Sequence, residues 1–217
     1  MSIHSHFSRR NFAEGAGAAA MLVSPLRLLA AGFGFKVGVI SDEISQDFDH
    51  ACYVIAKNFG LTHVELREIW EKNLQVVTDE QIAEAQKILS KYDLHVTDIG
   101  SPLYKVGFPG APHSQYGSKA DLHGADEVTF QKQNEILERS LSLAKQFKTN
   151  KVRCFDFWRI DDVTPYRAAI NDVLQTAAEK SAKENVLLVL ENELACNTAT
   201  GREAAMTLGG VKSRNLA

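Results

Sequence analysis

Five short apolar runs, each closing in charged or polar residues, constrain this chain most. They span residues 36–43 (KVGVISDE), 63–68 (HVELRE), 95–102 (HVTDIGSP), 152–158 (VRCFDFW) and 186–193 (VLLVLENE). Near-continuous runs of β-branched and aliphatic residues are what a parallel strand buried on both faces requires. A stretch with helical spacing follows each run, so the chain reads as repeated strand–helix units. In closed sheets of such units, reactive side chains sit just past the C-terminal strand ends. The runs place Asp42, Glu43, Glu65, Arg67, Asp156, Arg159, Glu191 and Glu193 there.

The punctuation between the runs supports this reading. A helix is expected over 47–59, closed by a left-handed Gly60. Thr78 and Gln81 have capping-box spacing and open a helix with Ile82, Ala85, Leu89 and Tyr92 on one face. Residues 102–125 are rich in Gly, Pro, His and Ser, and include His113 and His123. A loop this long is often a functional lid, and it leaves from a strand's C-terminal end. Further helices are expected over 127–147, from Thr164-Pro165 to about 183, and from the Thr200/Glu203 capping box to Gly209-Gly210. Residues 211–217 fall where a sixth strand is due.

The pattern points to a TIM (β/α)8-type α/β barrel with about five βα units present, against the eight that close such a barrel. An open doubly wound sheet is the alternative. It lacks support at the first turn, where Ser41-Asp42-Glu43-Ile44-Ser45 stands in place of a Gly-rich phosphate loop.

Bulk properties narrow the function. At 45% hydrophobic and 24% charged, the chain is of ordinary globular composition. Its net charge is −3, and −5 once the first 31 residues (Arg9, Arg10 and Arg27 against Glu14) are set aside. No basic stripe offers itself to nucleic acid. Cys52, Cys154 and Cys196 form neither a CxxC pair nor a disulfide framework.

Residues 1–31 read as an address, and residues 32–217 as the partial barrel. Ser8-Arg9-Arg10-Asn11-Phe12 precedes an Ala/Gly-rich stretch, the pattern of a bacterial twin-arginine (Tat) signal. A periplasmic or otherwise exported location is expected, with a cytoplasmic one as the alternative; the stretch is too short and interrupted for a stable membrane span.

Several motifs, taken in order, carry a resemblance: Gly38-Val39-Ile40-Ser41-Asp42-Glu43, Val64-Glu65-Leu66-Arg67, Ser101-Pro102-Leu103-Tyr104-Lys105, Arg153-Cys154-Phe155-Asp156-Phe157-Trp158, and Val189-Leu190-Glu191-Asn192-Glu193 followed by Asn197-Thr198-Ala199-Thr200-Gly201. Over residues 36–217 the chain resembles the xylose-isomerase-like TIM barrels, the sugar phosphate isomerase/epimerase superfamily. The resemblance implies a small-molecule sugar or sugar derivative as partner, and a divalent metal (Mn, Mg, Co or Zn) held by Glu, Asp, His and Glu from the last four strands. Glu191 matches the first ligand and is also the implied proton-transfer base. The other three ligands would lie beyond Ala217. One carboxylate does not hold such a metal, so the chain is expected to be inactive as it stands.

The remaining candidates are substrate-binding. Glu65 and Arg67 share one side of the second strand, and either meet a substrate or pair with each other or a neighbouring strand. Arg153 is expected to pair with Glu65 or Glu191. Asp156 and Trp158 end the fourth strand, where the Trp either stacks on a sugar or plugs the barrel mouth. Asn192 and Glu193 either bond hydroxyls or start the following loop. Two other functions stay open. An endonuclease IV-like phosphodiesterase uses several histidine ligands, including some after strands two and three, where this chain has Glu65-Leu66-Arg67 and Gly100-Ser101-Pro102. A non-catalytic carbohydrate-binding remnant is the other. The oligomeric state is open.

Overall fold

The computed structural model describes residues 36–112, 114 and 129–217. The signal expected over residues 1–31, His113, His123 and half of the lid lie outside these. In chain order the strands are β1 (Gly38–Ile40), β2 (His63–Leu66), β3 (Glu68–Ile69), β4 (Lys72–Asn73), β5 (His95–Leu103), β6 (Lys151–Cys154) and β7 (Leu187–Leu190). The helices are α1 (Phe48–Tyr53), α2 (Asp79–Tyr92), α3 (Gln133–Gln146), α4 (Arg167–Lys183) and α5 (Gly201–Gly210).

A five-stranded parallel sheet runs β1-β2-β5-β6-β7, in chain order throughout. A doubly wound sheet reverses its order at a switch point. This one does not, and right-handed crossovers then put the connecting helices on one side, as in a barrel. The core follows from alternation. Val64, Leu66, Ile99, Leu103, Val152, Cys154 and Leu188 are all fully buried, against Ile82, Ala85, Leu141, Ala144, Ile170 and Leu174 of the helices.

Both expected capping boxes are present. Thr78 Oγ1 accepts from Gln81 N, and Thr200 Oγ1 accepts from Glu203 N. Gly60 has φ +66°. Beyond β7, Leu188 N donates to Asn215 O (3.1 Å) and Leu190 N to Ala217 O (2.7 Å), so residues 215–217 lie along β7 in an isolated parallel bridge.

Three local expectations are corrected. The first helix is α only over Phe48–Tyr53, capped by Asp47, and continues as a π-turn over Val54–Asn58. The helix expected at Thr164-Pro165 starts at Arg167, after a turn in which Thr164 N donates to Asp162 Oδ1 (3.0 Å). The run that closes in Asp156 and Trp158 is strand only to Cys154, the end of β6, and Phe157 beyond it adopts φ +72°. The β3–β4 hairpin has no signal in the sequence. Its turn residues Trp70 and Glu71 have φ +53° and +61°, a conformation that favours Asn or Gly. Tertiary contacts hold it instead: Trp70 N and Glu71 N donate to Gln46, and the Trp70 ring packs edge-on against Phe48.

Candidate functional site at the strand ends

Alternation aims the key groups. Val64 and Leu66 are buried on one face of β2, so Glu65 projects from the other; Val152 and Cys154 do the same for Arg153 on β6. Glu65 reaches Arg153 across β5 by lying over Gly100. A Cβ there would stand 2.7 Å from Glu65 Oε1 and would push the carboxylate aside. Arg153 Nη1 lies 3.1 Å from Glu65 Oε1 and 2.9 Å from Glu191 Oε2, just beyond β7. The guanidinium also donates to Gly100 O (3.2 Å) and Ser101 O (3.4 Å). One cation thus ties β2, β5, β6 and the end of β7. Both partners foreseen for Arg153 are engaged at once. Burial pushes the Glu65 carboxyl up to about 7, with the negative charges of Asp98 and Glu191 adding to the rise and the positive charges of Arg153 and Arg67 opposing it.

Beside this cluster, Lys105 Nζ lies 3.5 Å from Glu193 Oε2. It stands 4.9 Å from the centre of the buried Phe155 ring and 5.8 Å from that of Trp158. Trp158 packs with Phe155, Ala195 and Cys196. Its backbone bridges to Cys196. Asn197 laces the loops after β6 and β7: its Nδ2 donates to Asp156 O (2.7 Å) and Trp158 O (3.2 Å), and its Oδ1 accepts from Ile160 N (2.9 Å). Asn192 is exposed at the rim.

Other candidates fall elsewhere. Arg67 does not pair with Glu65; it is held by Asp42 Oδ2 (2.5 Å) and Glu43 Oε1 (2.7 Å). Asp156 is fully buried, and its carboxylate is filled by Arg167 Nη1 (3.1 Å), Thr198 N (2.8 Å), Thr198 Oγ1 (2.5 Å) and Thr207 Oγ1 (3.2 Å). Burial pushes its pKa up against these partners. Its place is inside the loop scaffold, not at the mouth. Arg159 pairs with Glu203 (2.8 Å). His63 and His95 lie side by side at the opposite, N-terminal ends of their strands, with ring centres 5.7 Å apart.

Gly100, Lys105 and Phe155 had no assigned role in the sequence. Gly100 was discoverable, since a glycine inside an apolar strand marks close approach. Lys105 and Phe155 sit in motifs but gain meaning only from each other.

The implied metal does not fit the described residues. No group of three or more His, Cys, Asp or Glu among them is placed to hold an ion, and Glu191 is already paired with Arg153.

No protein-family model matches the sequence, and no curated protein matches it. Solved structures do match. The probable 3-DHS dehydratase AsbF, involved in petrobactin synthesis in Bacillus anthracis, shares 22% identity with a TM-score of 0.60, over 84% of this chain and 61% of its own. A xylose isomerase-like TIM barrel protein from Mycobacterium smegmatis, in complex with magnesium, shares 11% at 0.58, over 84% and 63%. A D-psicose 3-epimerase from Clostridium cellulolyticum H10, solved with D-tagatose, shares 15% at 0.58, over 84% and 62%. The chain therefore has the fold of the xylose isomerase-like TIM barrels, as a partial barrel of five parallel strands. It spans a little over three fifths of the length of these structures.

Proposed function

We propose that this chain supplies the sugar-binding part of an isomerase- or epimerase-type site at its strand ends. The observation that carries the reading is the Glu65–Arg153–Glu191 cluster: two carboxylates on one guanidinium, where barrels of this kind place their chemistry. The fold shared with a D-psicose 3-epimerase supports a sugar as the ligand.

In a keto-sugar, a carboxylate can take the hydrogen next to the carbonyl if the charge developing on oxygen is stabilised. Returning it to the neighbouring carbon isomerises the sugar; returning it to the other face epimerises it. Glu191 is assigned that proton. Arg153 fixes the direction of the Glu191 carboxylate. Glu65, raised to about 7, changes protonation near neutrality. Asn192 and Glu193 bond sugar hydroxyls at the rim. The chain by itself binds the sugar without turning it over. Export along the twin-arginine route belongs to the same proposal.

Saturation-transfer NMR with D-tagatose tests this. Signal transfer is expected to the wild type and weakened by Glu191→Gln. A folded chain that gives no transfer refutes the binding. Rapid exchange of a carbon-bound sugar hydrogen with D2O, without added metal, refutes the lack of turnover.

A further inference from the structure

Among the described residues, every cation of the strand-end cluster is held by a carboxylate, and the carboxylates outnumber the cations. Arg153 Nη1 sits between Glu65 and Glu191, and Lys105 Nζ faces Glu193. The two cations flank the ring of the buried Phe155, at 4.9 and 5.3 Å from its centre. Both side chains are only 11% exposed, so their partners are poorly replaced by water. The next cations outward repeat the pattern: Arg67 is taken by Asp42 and Glu43, Arg159 by Glu203 and Arg167 by Asp156.

From this arrangement we infer that the site takes an uncharged polyhydroxylated substrate and rejects its phosphate ester, with the Lys105–Glu193 pair as the specificity determinant. The inference rests on the sugar-binding reading above and narrows its substrate class.

The physical reason lies in what each ligand group can exchange. A sugar hydroxyl both donates and accepts, and an ammonium beside a carboxylate offers it an acceptor and a donor at neighbouring points. A phosphate only accepts. To seat it, Lys105 or Arg153 must leave its carboxylate, which strands a part-buried anion. Otherwise the phosphate must lie against Glu191 and Glu193 with like charge. Protonation of Glu65 does not reverse this, because the cluster then becomes neutral rather than cationic.

Isothermal titration calorimetry of the chain with D-tagatose and with D-tagatose 6-phosphate tests the inference. The free sugar is expected to bind roughly tenfold or more tighter than the ester. Glu193→Gln, which releases Lys105 from its carboxylate, is expected to narrow that ratio by strengthening the ester. Equal or tighter binding of the ester by the wild type overturns the inference and leaves the sugar-binding reading intact. Binding of neither by a folded chain overturns that reading and this inference with it. An unchanged ratio in folded Glu193→Gln overturns the role of the Lys105–Glu193 pair; the wild-type comparison itself needs no variant.

Discussion

Glu65 Oε1 lies 3.1 Å from Arg153 Nη1 although the two residues stand on strands separated by a third. The contact exists because Gly100, on the strand between them, has no side chain. A Cβ at that position would meet Glu65 Oε1 at 2.7 Å, Arg67 Cβ at 3.0 Å and Arg67 Cα at 3.3 Å. Glu65 can swing away, whereas the Arg67 Cβ and backbone would have to give by a few tenths of an ångström.

Gly100→Ala is therefore expected to destabilise the fold by roughly 1–3 kcal/mol, the usual range for overpacking. Gly209→Ala, in α5 with open space around the new methyl, is expected to be neutral or stabilising by roughly 0.5–1 kcal/mol. Urea unfolding of the two variants checks the contrast. Equal effects contradict the crossing geometry.

Glu65 also sets a pH dependence. Its folded pKa, about 7, stands above its ordinary value of 4.5, so the folded state holds the proton more tightly than the unfolded. Stability from this group is greatest at acid pH and falls as pH rises between those two values. Glu65→Gln removes the slope. The stability of wild type minus that of variant is expected to fall by up to about 3 kcal/mol from pH 5 to pH 8. Parallel curves from urea unfolding at the two pH values contradict this.

Asp156 carries structure rather than substrate. Asp156→Ala leaves Arg167 without its carboxylate and Thr198 N without its acceptor. Breaking a buried pair from one side costs about 3–5 kcal/mol. A melting temperature close to wild type contradicts this role.

The N-terminal address is tested apart from the fold. Residues 1–35 fused to a reporter are expected to direct export that Arg9→Lys/Arg10→Lys abolishes. Export that survives both substitutions contradicts a twin-arginine signal.

The sequence disclosed the architecture because parallel strands buried on both faces leave long apolar runs, as at 186–190, and because Thr78/Gln81 and Thr200/Glu203 mark helix starts by local chemistry alone. It disclosed Glu65 and Glu191 as strand-end charges and Arg153 as a partner for one or the other. It did not disclose that one guanidinium serves both carboxylates, since that depends on sheet register and on Gly100. Asp156 and Glu191 look alike in sequence, each a carboxylate closing an apolar run. Only packing separates them, the first enclosed by Arg167 and Thr198, the second at the mouth. The Trp70–Glu71 turn was illegible because tertiary contacts override its poor turn chemistry.

A competing location gives the central claim its sharpest test. A cleft of about 820 Å³ lies at the other end of β5, lined by Gln86, Ser90, Asp93, His95, Gln146 and Lys148 among others. Titrating D-tagatose into the ¹⁵N-labelled chain and following backbone amide shifts decides between the two ends. Shifts gathered at Gly100, Lys105 and residues 191–193 are the predicted result. Shifts gathered at residues 93–96 and 146–148, or none at all, contradict a sugar site at the strand ends.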